Sequence, residues 1–230
     1  MTLIDKRYDK KIVPKPWGYE YVIYRYKNDL SVTCLHIDFK KKTSLHCHPT
    51  KKTGFILLDG EANIQLGLYK SGVKRYKAPS KLMIRSGLFH QIQSKSKKGL
   101  IALEFETPYK KNDLVRFEDN YGRENTPYEG KNKMIKKQIN HLQFKIPKEN
   151  QKNTYDFKNL KITTEVHVNT KKLINRPKNT IFAILEGGLK DNRGQLVLSP
   201  GDIVRTDTIK KLSKIFKIKN KLAILTCKKV

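Results

Sequence analysis

Cysteines, acidic side chains and long apolar runs are all scarce in this sequence. The 230 residues include three cysteines, Cys34, Cys47 and Cys227. An odd and sparse set excludes a disulfide framework and favours a reducing compartment. The N-terminal segment lacks the apolar stretch of a signal peptide, and the longest apolar runs have only the length of a strand. These absences predict a soluble, cytoplasmic protein with no membrane span.

Acidic residues are outnumbered by basic ones, 21 against 49, which gives a formal net charge of +28. Such a charge is typical of nucleic-acid-binding proteins. The lysines are nevertheless spread over the whole chain, and no Arg-rich recognition helix, CxxC zinc module or aromatic RNA-binding motif accompanies them. We therefore interpret the charge as a solvated, lysine-rich surface and do not expect nucleic acid as a partner.

Most of the sequence is typical of short β-strands. The predicted strands are rich in Ile, Val, Tyr and Phe and comprise Tyr19–Tyr26, Ser31–Phe39, Gly54–Leu58, Ala62–Leu66, Lys81–Arg85 and Gly99–Phe105. Asp-Gly and Ser-Gly pairs between them predict turns. Closely spaced strands with little helical periodicity predict an all-β sandwich or barrel.

An internal repeat divides the chain into two similar halves. The segment TGFILLDG at 53–60 resembles TIFAILEG at 180–187, and MIRS at 83–86 resembles IVRT at 203–206. The second copy is seven residues shorter between these segments, which indicates a shorter hairpin. Two copies of one β unit predict a tandem of barrels.

The repeat also sets the predicted domain boundaries. A first domain is expected over 1–124 and a second over 153–230, with a polar linker or bridging segment over 125–152. Within that linker, the apolar spacing over 133–142 predicts a short helix.

The tripeptide His46-Cys47-His48 is the most informative short motif. On a strand, residues i and i+2 point to the same face, so both imidazoles would project together and form half of a metal site. A pair of surface histidines fits the same three residues equally well. His90 follows a strand end and a glycine turn, and it supplies a candidate third ligand.

Two motifs around these histidines resemble those of the cupin family. The family's HxHxxxxE motif, followed by a strand and a glycine, corresponds to residues 46–60, and its PxGxxH motif corresponds to residues 85–90. The resemblance implies a jelly-roll barrel with an interior metal held by both motifs. The expected fold class is therefore an all-β bicupin, two tandem jelly-roll β-barrels of which the second is degenerate.

Within the cupins, residues 14–124 resemble the type II mannose-6-phosphate isomerase domain, which also forms the C-terminal part of mannose-1-phosphate guanylyltransferases. The segment PWGYE at 16–20 is similar to the opening motif of that domain, and DLVRFEDNYGR at 113–123 is similar to its closing signature. A long signature that matches nearly residue for residue is specific, whereas HxH alone is not.

The resemblance implies one divalent metal ion, with zinc expected first and iron, manganese or nickel as alternatives. The family's ligand positions, Gln, His, Glu and His, fall on His46, His48, Thr53 and His90, so a threonine replaces the carboxylate. Glu104 lies between apolar residues on the last predicted strand of this domain. We expect Glu104 to face the interior as a substitute ligand or as a catalytic base, although an outward-facing glutamate fits the same pattern.

Basic residues supply the candidate substrate-binding groups. Arg116 and Arg123 belong to the closing signature, and arginine suits bidentate phosphate recognition. Salt bridges to acidic residues of the same signature are an equally good explanation. Lys51 and Arg85 are expected to add positive potential at the mouth of the barrel.

The second copy has lost the metal-binding pattern. The three histidine positions of the first copy correspond to Leu173, Asn175 and Lys210. We therefore expect this copy to be structural or to form an interface.

Together these features predict aldose–ketose isomerisation of a sugar phosphate, or a related sugar-pathway step. One alternative is a three-histidine Fe(II) oxygenase or lyase that acts on a small anionic substrate. The other is a non-catalytic, sugar-binding bicupin. We expect a small-molecule substrate and no membrane partner, and a homodimer is compatible with the predicted fold.

Overall fold

The computed structural model describes residues 8–123, 134–136, 141–218 and 220–230. The chain divides into two compact units, a first unit of Met1–Ser80 with Ile84–Gln143 and a second unit of Lys81–Met83 with Phe144–Val230. No helix in the described part of the chain has the length and apolar character needed to cross a membrane. All three cysteines are free and buried.

Two sheets hold twelve short strands of the first unit, with residues 81–83 of the eighth strand grouped with the second unit. They are β1 (Lys11–Lys15), β2 (Gly18–Tyr26), β3 (Leu30–Ile37), β4 (Leu45–Cys47), β5 (Lys52–Asp59), β6 (Glu61–Leu66), β7 (Val73–Lys77), β8 (Ser80–Ile84), β9 (His90–Ser94), β10 (Leu100–Thr107), β11 (Val115–Glu118) and β12 (Ile135–Lys136). A 3-10 turn, Lys70–Gly72, precedes β7. All six strands predicted from the sequence of this unit are present, with shifts of one or two residues at their ends.

The order of these strands is that of a jelly roll. One sheet runs β12-β1-β2-β3-β10-β5-β8 and the other runs β11-β4-β9-β6-β7. The eight consecutive strands β3 to β10 therefore divide between a β3-β10-β5-β8 layer and a β4-β9-β6-β7 layer, which is the double Greek key of a jelly roll.

Alternation of side chains sets the two faces of each strand. In β9, His90, Ile92 and Ser94 are buried while the two glutamines between them are partly exposed. Residues of this period-2 pattern face the space between the sheets. The Asp-Gly turn that joins β5 and β6 has Gly60 at φ +87°, where a Cβ would lie 2.6 Å from the carbonyl oxygen of Gly99. That position therefore requires glycine.

Eight strands and two helices make up the described part of the second unit. They are β13 (Lys152–Phe157), β14 (Leu160–His167), α1 (Lys171–Ile174), β15 (Ile181–Glu186), β16 (Leu189–Lys190), β17 (Leu196–Leu198), β18 (Ile203–Arg205), α2 (Thr206–Leu212), β19 (Lys217–Ile218) and β20 (Leu222–Lys229). One sheet runs β13-β14-β20-β15-β18 and the other runs β17-β16-β19.

The internal repeat of the sequence reappears as a repeat of strand order. The layer β14-β20-β15-β18 matches β3-β10-β5-β8, and β19-β16-β17 matches β9-β6-β7. The shorter β16-β17 hairpin accounts for the missing seven residues. The exception is β4, because helix α1 stands at its place in the chain order. The second unit thus repeats seven of the eight jelly-roll positions of the first.

The linker prediction was wrong in one respect. Ile135 and Lys136, expected in a helix, form β12 and pair antiparallel with β1 through Ile12 and Lys11. Residues 137–140 of the predicted helix lie outside the described residues.

Candidate metal centre

Three histidines of the first unit converge between the two sheets. His46 on β4 and His90 on β9 are direct cross-strand partners, and His48 follows β4. The ring centroids of His46 and His90 are 4.4 Å apart, and that of His48 lies 5.1 and 5.6 Å from them. One nitrogen from each ring falls within 4.8 Å of the others. Both imidazoles of the HxH motif thus project to one side, as predicted.

Each imidazole is fixed in orientation by a backbone carbonyl. Nδ1 of His46 lies 2.8 Å from the carbonyl oxygen of Ser44, and Nδ1 of His90 lies 3.0 Å from that of Leu88. Nδ1 of His48 contacts the carbonyl oxygen of Asp113. A carbonyl accepts the proton on Nδ1, so Nε2 keeps its lone pair. Hydrogen bonds from Nδ1 to a carbonyl oxygen orient metal-ligating histidines in this way.

The three rings are held in the neutral form that binds metals. Burial, followed by the charge of Lys51, lowers the pKa of His48 to about 4. Burial and the charge of His48 lower the pKa of His90 to about 3. Burial and the other two histidines keep the pKa of His46 well below its usual value. In addition, Nε2 of His90 is buried and has no hydrogen-bond partner in the described part of the chain. A divalent metal ion would satisfy this donor set, so the residues fit such an ion.

Asp113 locks the loop that carries His48. Its carboxylate accepts hydrogen bonds from the backbone N–H groups of Thr50 at 3.0 Å and Lys51 at 2.8 Å. Burial works against ionisation of Asp113, but these hydrogen bonds outweigh it and lower its pKa. Asp113, the first residue of the closing signature, therefore holds in place the loop of His48, which lies 65 residues earlier in the chain.

Two glutamates of β10 form the opposite wall. In the register of the sheet, Glu104 lies between Thr33 and Phe55. Glu104, Glu106 and His48 bring donor atoms within 4.8 Å of one another. Glu104 thus faces the interior, as expected from its apolar neighbours, at a position suited either to metal binding or to proton transfer.

The two carboxyl groups have very different acidities. Burial, followed by the charges of Glu106 and Glu20, raises the pKa of Glu104 to about 8. Burial would also raise the pKa of Glu106, but Lys51 and Lys111 hold it well below its ordinary value. Two adjacent carboxyl groups with separated pKa values are typical of acid–base sites.

A chain of alternating charges continues from Glu106 through the interior, and we call it the buried ion-pair chain. It consists of Lys51, Glu106, Lys111, Glu20 and Lys15. Lys51 contacts Glu106 directly. The ammonium group of Lys111 lies 3.9 Å from Glu106 and 3.7 Å from Glu20, and that of Lys15 lies 3.7 Å from Glu20.

A cavity of about 80 Å³ joins these groups, with space for about three water molecules. Its lining includes the three histidines, Glu104 and all five members of the buried ion-pair chain.

The predicted substrate-binding residues occupy different environments. Arg116 is the cross-strand partner of His46 and lines the cavity together with Arg123. Two hydrogen bonds of 2.8 and 2.9 Å tie the guanidinium of Arg123 to Asp119, so the salt-bridge explanation holds for this arginine. Lys51 is buried rather than at the mouth of the barrel. Arg85 is exposed and is not part of the cavity lining.

Sequence reasoning missed four charged residues of the cavity. Glu106 was detectable, because it stands two positions after Glu104 and shares its face of the strand. Glu20 is the last residue of the opening motif PWGYE, but that motif does not indicate that its side chain enters the cavity. No local pattern marks Lys15 or Lys111. Thr53 is buried, and its hydroxyl lacks a hydrogen-bond partner among the described residues.

No family profile and no curated protein matches the sequence. Among solved structures, an uncharacterised conserved protein with a double-stranded β-helix domain from Klebsiella pneumoniae is similar, with 21% identity, a TM-score of 0.39 and coverage of 44% of this chain and 79% of that chain. KdgF from Halomonas sp. is 14% identical, with a TM-score of 0.39 and coverage of 48% and 96%. The capsular polysaccharide assembling protein CapF from Staphylococcus aureus is 14% identical, with a TM-score of 0.40 and coverage of 47% and 34%. Each match covers less than half of this chain, so no family membership follows from them.

Proposed function

We propose that the first unit binds one divalent metal ion through His46, His48 and His90 and catalyses aldose–ketose isomerisation of a small sugar phosphate. The observation that carries the proposal is the position of Glu104, a carboxyl group with a raised pKa that shares a cavity with three oriented, neutral imidazoles. The resemblance of residues 14–124 to the type II mannose-6-phosphate isomerase domain supports the choice of substrate class.

The roles of the residues follow from their chemistry. When bound, a divalent ion would polarise the carbonyl and the adjacent hydroxyl of an open-chain sugar. Glu104 would accept the proton from the hydroxyl-bearing carbon and return it to the carbonyl carbon, while a second proton passes from the hydroxyl oxygen to the former carbonyl oxygen. The carbonyl and the hydroxyl thereby exchange places. A cation beside Glu104 favours its ionised form, which is the form needed for the first transfer.

The cavity also suits an anionic substrate. Five cationic side chains line it, against three glutamates. Arg123 is tied to Asp119, the three lysines belong to the buried ion-pair chain, and Arg116 donates a hydrogen bond to the carbonyl oxygen of Arg123.

Metal content per chain, measured by elemental mass spectrometry on gently purified protein, tests the first half of the proposal. We expect about one equivalent, lost in His48→Ala and retained in the matched control His36→Ala, whose imidazole stacks on Tyr19 at 4.8 Å. Zinc would support isomerase chemistry. Iron together with oxygen uptake would favour the three-histidine oxygenase, and failure to bind any divalent metal after reconstitution would rule out both enzymes.

Deuterium exchange tests the second half. Proton NMR in D₂O follows wash-in of solvent deuterium at the carbons next to the carbonyl of mannose, glucose and fructose 6-phosphates. We expect wash-in with the metal-loaded protein and a loss of about a hundredfold or more in Glu104→Gln, with the metal retained. Unchanged exchange in this variant would exclude Glu104 as the base.

A further inference from the structure

Another cavity lies in the second unit, between helices α1 and α2, and we call it the α1–α2 cleft. The two helices pack against each other, and each contributes a fully buried residue, Leu173 and Ile209, to an apolar cluster. The cleft has a volume of about 350 Å³, which is in the range of small-molecule sites. Its lining includes Ile174, Asn175, Lys210, Lys211, Ser213 and Lys214.

The cleft lies between the two elements that replace the metal-binding segments of the first unit. Helix α1 stands at the place of β4 in the chain order, and α2 lies between β18 and β19, where the first unit has the turn that leads to His90. Asn175 stands at the sequence position of His48 and lines the cleft. Lys210 stands at that of His90 and also lines it. The second unit thus has a cavity in the corresponding part of its chain, with amide and ammonium groups in place of imidazoles.

The cationic groups of the cleft have no acidic partners. Lys210, Lys211 and Lys214 line it, and no acidic residue does. None of the three lysines forms an ion pair with a residue that the structure describes. Asp207, about one helical turn earlier on α2, is exposed and is not paired with them. Three like charges around one concave surface repel each other, and an anion bound among them relieves this repulsion.

These lysines are not needed to cap helix α2. Basic side chains near the end of a helix often bond its last carbonyl groups. Here backbone N–H groups do so, because Ser213 donates to the carbonyl oxygen of Ile209 at 2.8 Å and Phe216 to that of Leu212 at 2.8 Å. The ammonium groups therefore remain available to a ligand.

A buried hydroxyl also lines the cleft. Oγ of Ser213 is buried and has no hydrogen-bond partner in the described part of the chain. A buried hydroxyl without a partner destabilises the fold, and an acceptor atom of a ligand would satisfy it. Three ammonium groups, this hydroxyl and the amide of Asn175 together match the acceptor oxygens of a phosphate group.

We propose that the α1–α2 cleft binds a phosphate monoester whose organic part is about the size of a nucleoside. The dianionic phosphate lies among the three lysines and accepts a hydrogen bond from Ser213, and the organic part lies against Ile174. A phosphate ion alone leaves most of the volume of about 350 Å³ empty. A nucleic-acid strand requires cations along an extended track rather than around one cleft. The site belongs to the second unit and does not depend on the proposed isomerase activity.

Calorimetric titration of adenosine monophosphate into the full-length, metal-loaded protein tests this site. We expect one saturable site per chain, with an affinity about tenfold or more weaker in the double variant Lys210→Gln with Lys214→Gln. The matched control is Lys148→Gln with Lys152→Gln, which removes the same charge at exposed positions of the second unit outside the cleft and should stay within about twofold of the parent protein. In amide NMR spectra, the largest shifts on titration should fall within 170–175 and 210–214.

Two further probes separate the parts of the ligand. Adenosine, which lacks the phosphate, should not bind measurably, and inorganic phosphate should bind about tenfold or more weakly than adenosine monophosphate. The proposal is overturned by an absence of saturable binding, by adenosine or inorganic phosphate binding as tightly as the monophosphate, or by the largest shifts falling in the first unit. Equal losses in the two double variants, together with an affinity for single-stranded DNA that rises with its length, would instead indicate a general polyanion surface. Deuterium wash-in at the first unit is a separate readout, so either proposal can fail while the other stands.

Discussion

The two units share a strand order and differ in what fills the space between their strands. In the first unit this space holds histidines, glutamates and lysines around a cavity. In the second it holds a continuous apolar cluster, whose fully buried members include Phe182, Ile184 and Ile224. Leu173, which corresponds in sequence to His46, is completely buried in that cluster.

The difference begins with one short element. In the first unit β4 is extended, so His46 and His48 lie on one face and reach the same point. In the second unit helix α1 stands at that place in the chain order, and residues two positions apart on a helix point in different directions. A change of local structure therefore removes two ligand positions at once. The released space is filled by apolar side chains, whose burial stabilises a domain in a way that a polar cavity does not.

Introducing two histidines at the equivalent positions should destabilise the second unit and should not create a second metal site. We expect Leu173→His with Asn175→His to lower the free energy of unfolding by about 4 kcal/mol or more, because an imidazole enters an apolar core without a partner. Metal content should stay at one equivalent per chain. Denaturant unfolding and elemental analysis measure both effects. The control is Lys171→His, an exposed position on α1, and a second bound metal in the double variant would contradict this interpretation.

Two phenylalanines at equivalent positions can be used to compare the packing of the two units. Phe182 and Phe55 hold equivalent positions on β15 and β5, but Phe182 lies in the apolar cluster and Phe55 lines the polar cavity. We expect Phe182→Ala to cost about 3–5 kcal/mol of unfolding free energy. Phe55→Ala should cost at least about 1 kcal/mol less, because water already accessible to the cavity can occupy the added space. Equal losses in urea unfolding would argue against this difference.

Much of the fold was visible in the sequence because strands are local patterns. Alternation of side chains and glycine turns located β2, β3, β5, β6, β8 and β10, and the repeat of 53–60 at 180–187 identified β15 as the counterpart of β5. Helix α1 was missed because its four residues, Lys171–Ile174, carry no helical period long enough to recognise. The repeat therefore suggested a strand in the place of α1.

The candidate site could be predicted from the sequence only where its residues form a local pattern, as the strands do. The histidines were found because spacing on one strand and a recognisable motif placed them together. The buried ion-pair chain was not found, because Lys111 is distant in sequence from Lys15 and Glu20 and meets them only through tertiary packing. Contacts that depend on tertiary packing leave no periodic signal in the sequence.

The raised pKa of Glu104 should give the first unit a pH dependence of stability that has no counterpart at the equivalent position of the second unit. Glu104 pairs with Thr33 in the first unit, and the equivalent pair in the second unit is Thr226 with Thr163. With the pKa of Glu104 raised to about 8 in the folded protein, the folded state retains a proton that the unfolded chain loses near its ordinary pKa. The contribution of Glu104 to the free energy of unfolding of the metal-free protein should therefore fall as pH rises from about 4.5 to about 8, whereas the three histidines with lowered pKa values contribute a rise up to about pH 6.5. Glu104→Gln should remove about 2–4 kcal/mol of that fall.

Thermal and urea unfolding at pH 5 and pH 9 measure this difference between the parent protein and the variant. Glu118→Gln changes an exposed carboxyl group and serves as the control. A variant that shows the same pH slope as the parent protein would place the titrating group elsewhere.

The smallest expected effect is the change in metal affinity with pH, which would be large if the three histidines lay on the surface. Protons compete with a metal for imidazole only below the pKa of the ring, and the folded protein holds the pKa of His48 at about 4 and that of His90 at about 3. In Glu104→Gln, where no carboxyl group with a raised pKa titrates beside the metal, metal affinity should consequently change by less than about threefold between pH 7 and pH 5 and decline below about pH 4. Histidines with the ordinary pKa of about 6.5 would each lose about thirtyfold at pH 5. Competition with a chelator across this pH range distinguishes buried histidines from histidines with an ordinary pKa. A midpoint of metal loss near pH 6.5 would mean that burial between the sheets does not hold these rings neutral.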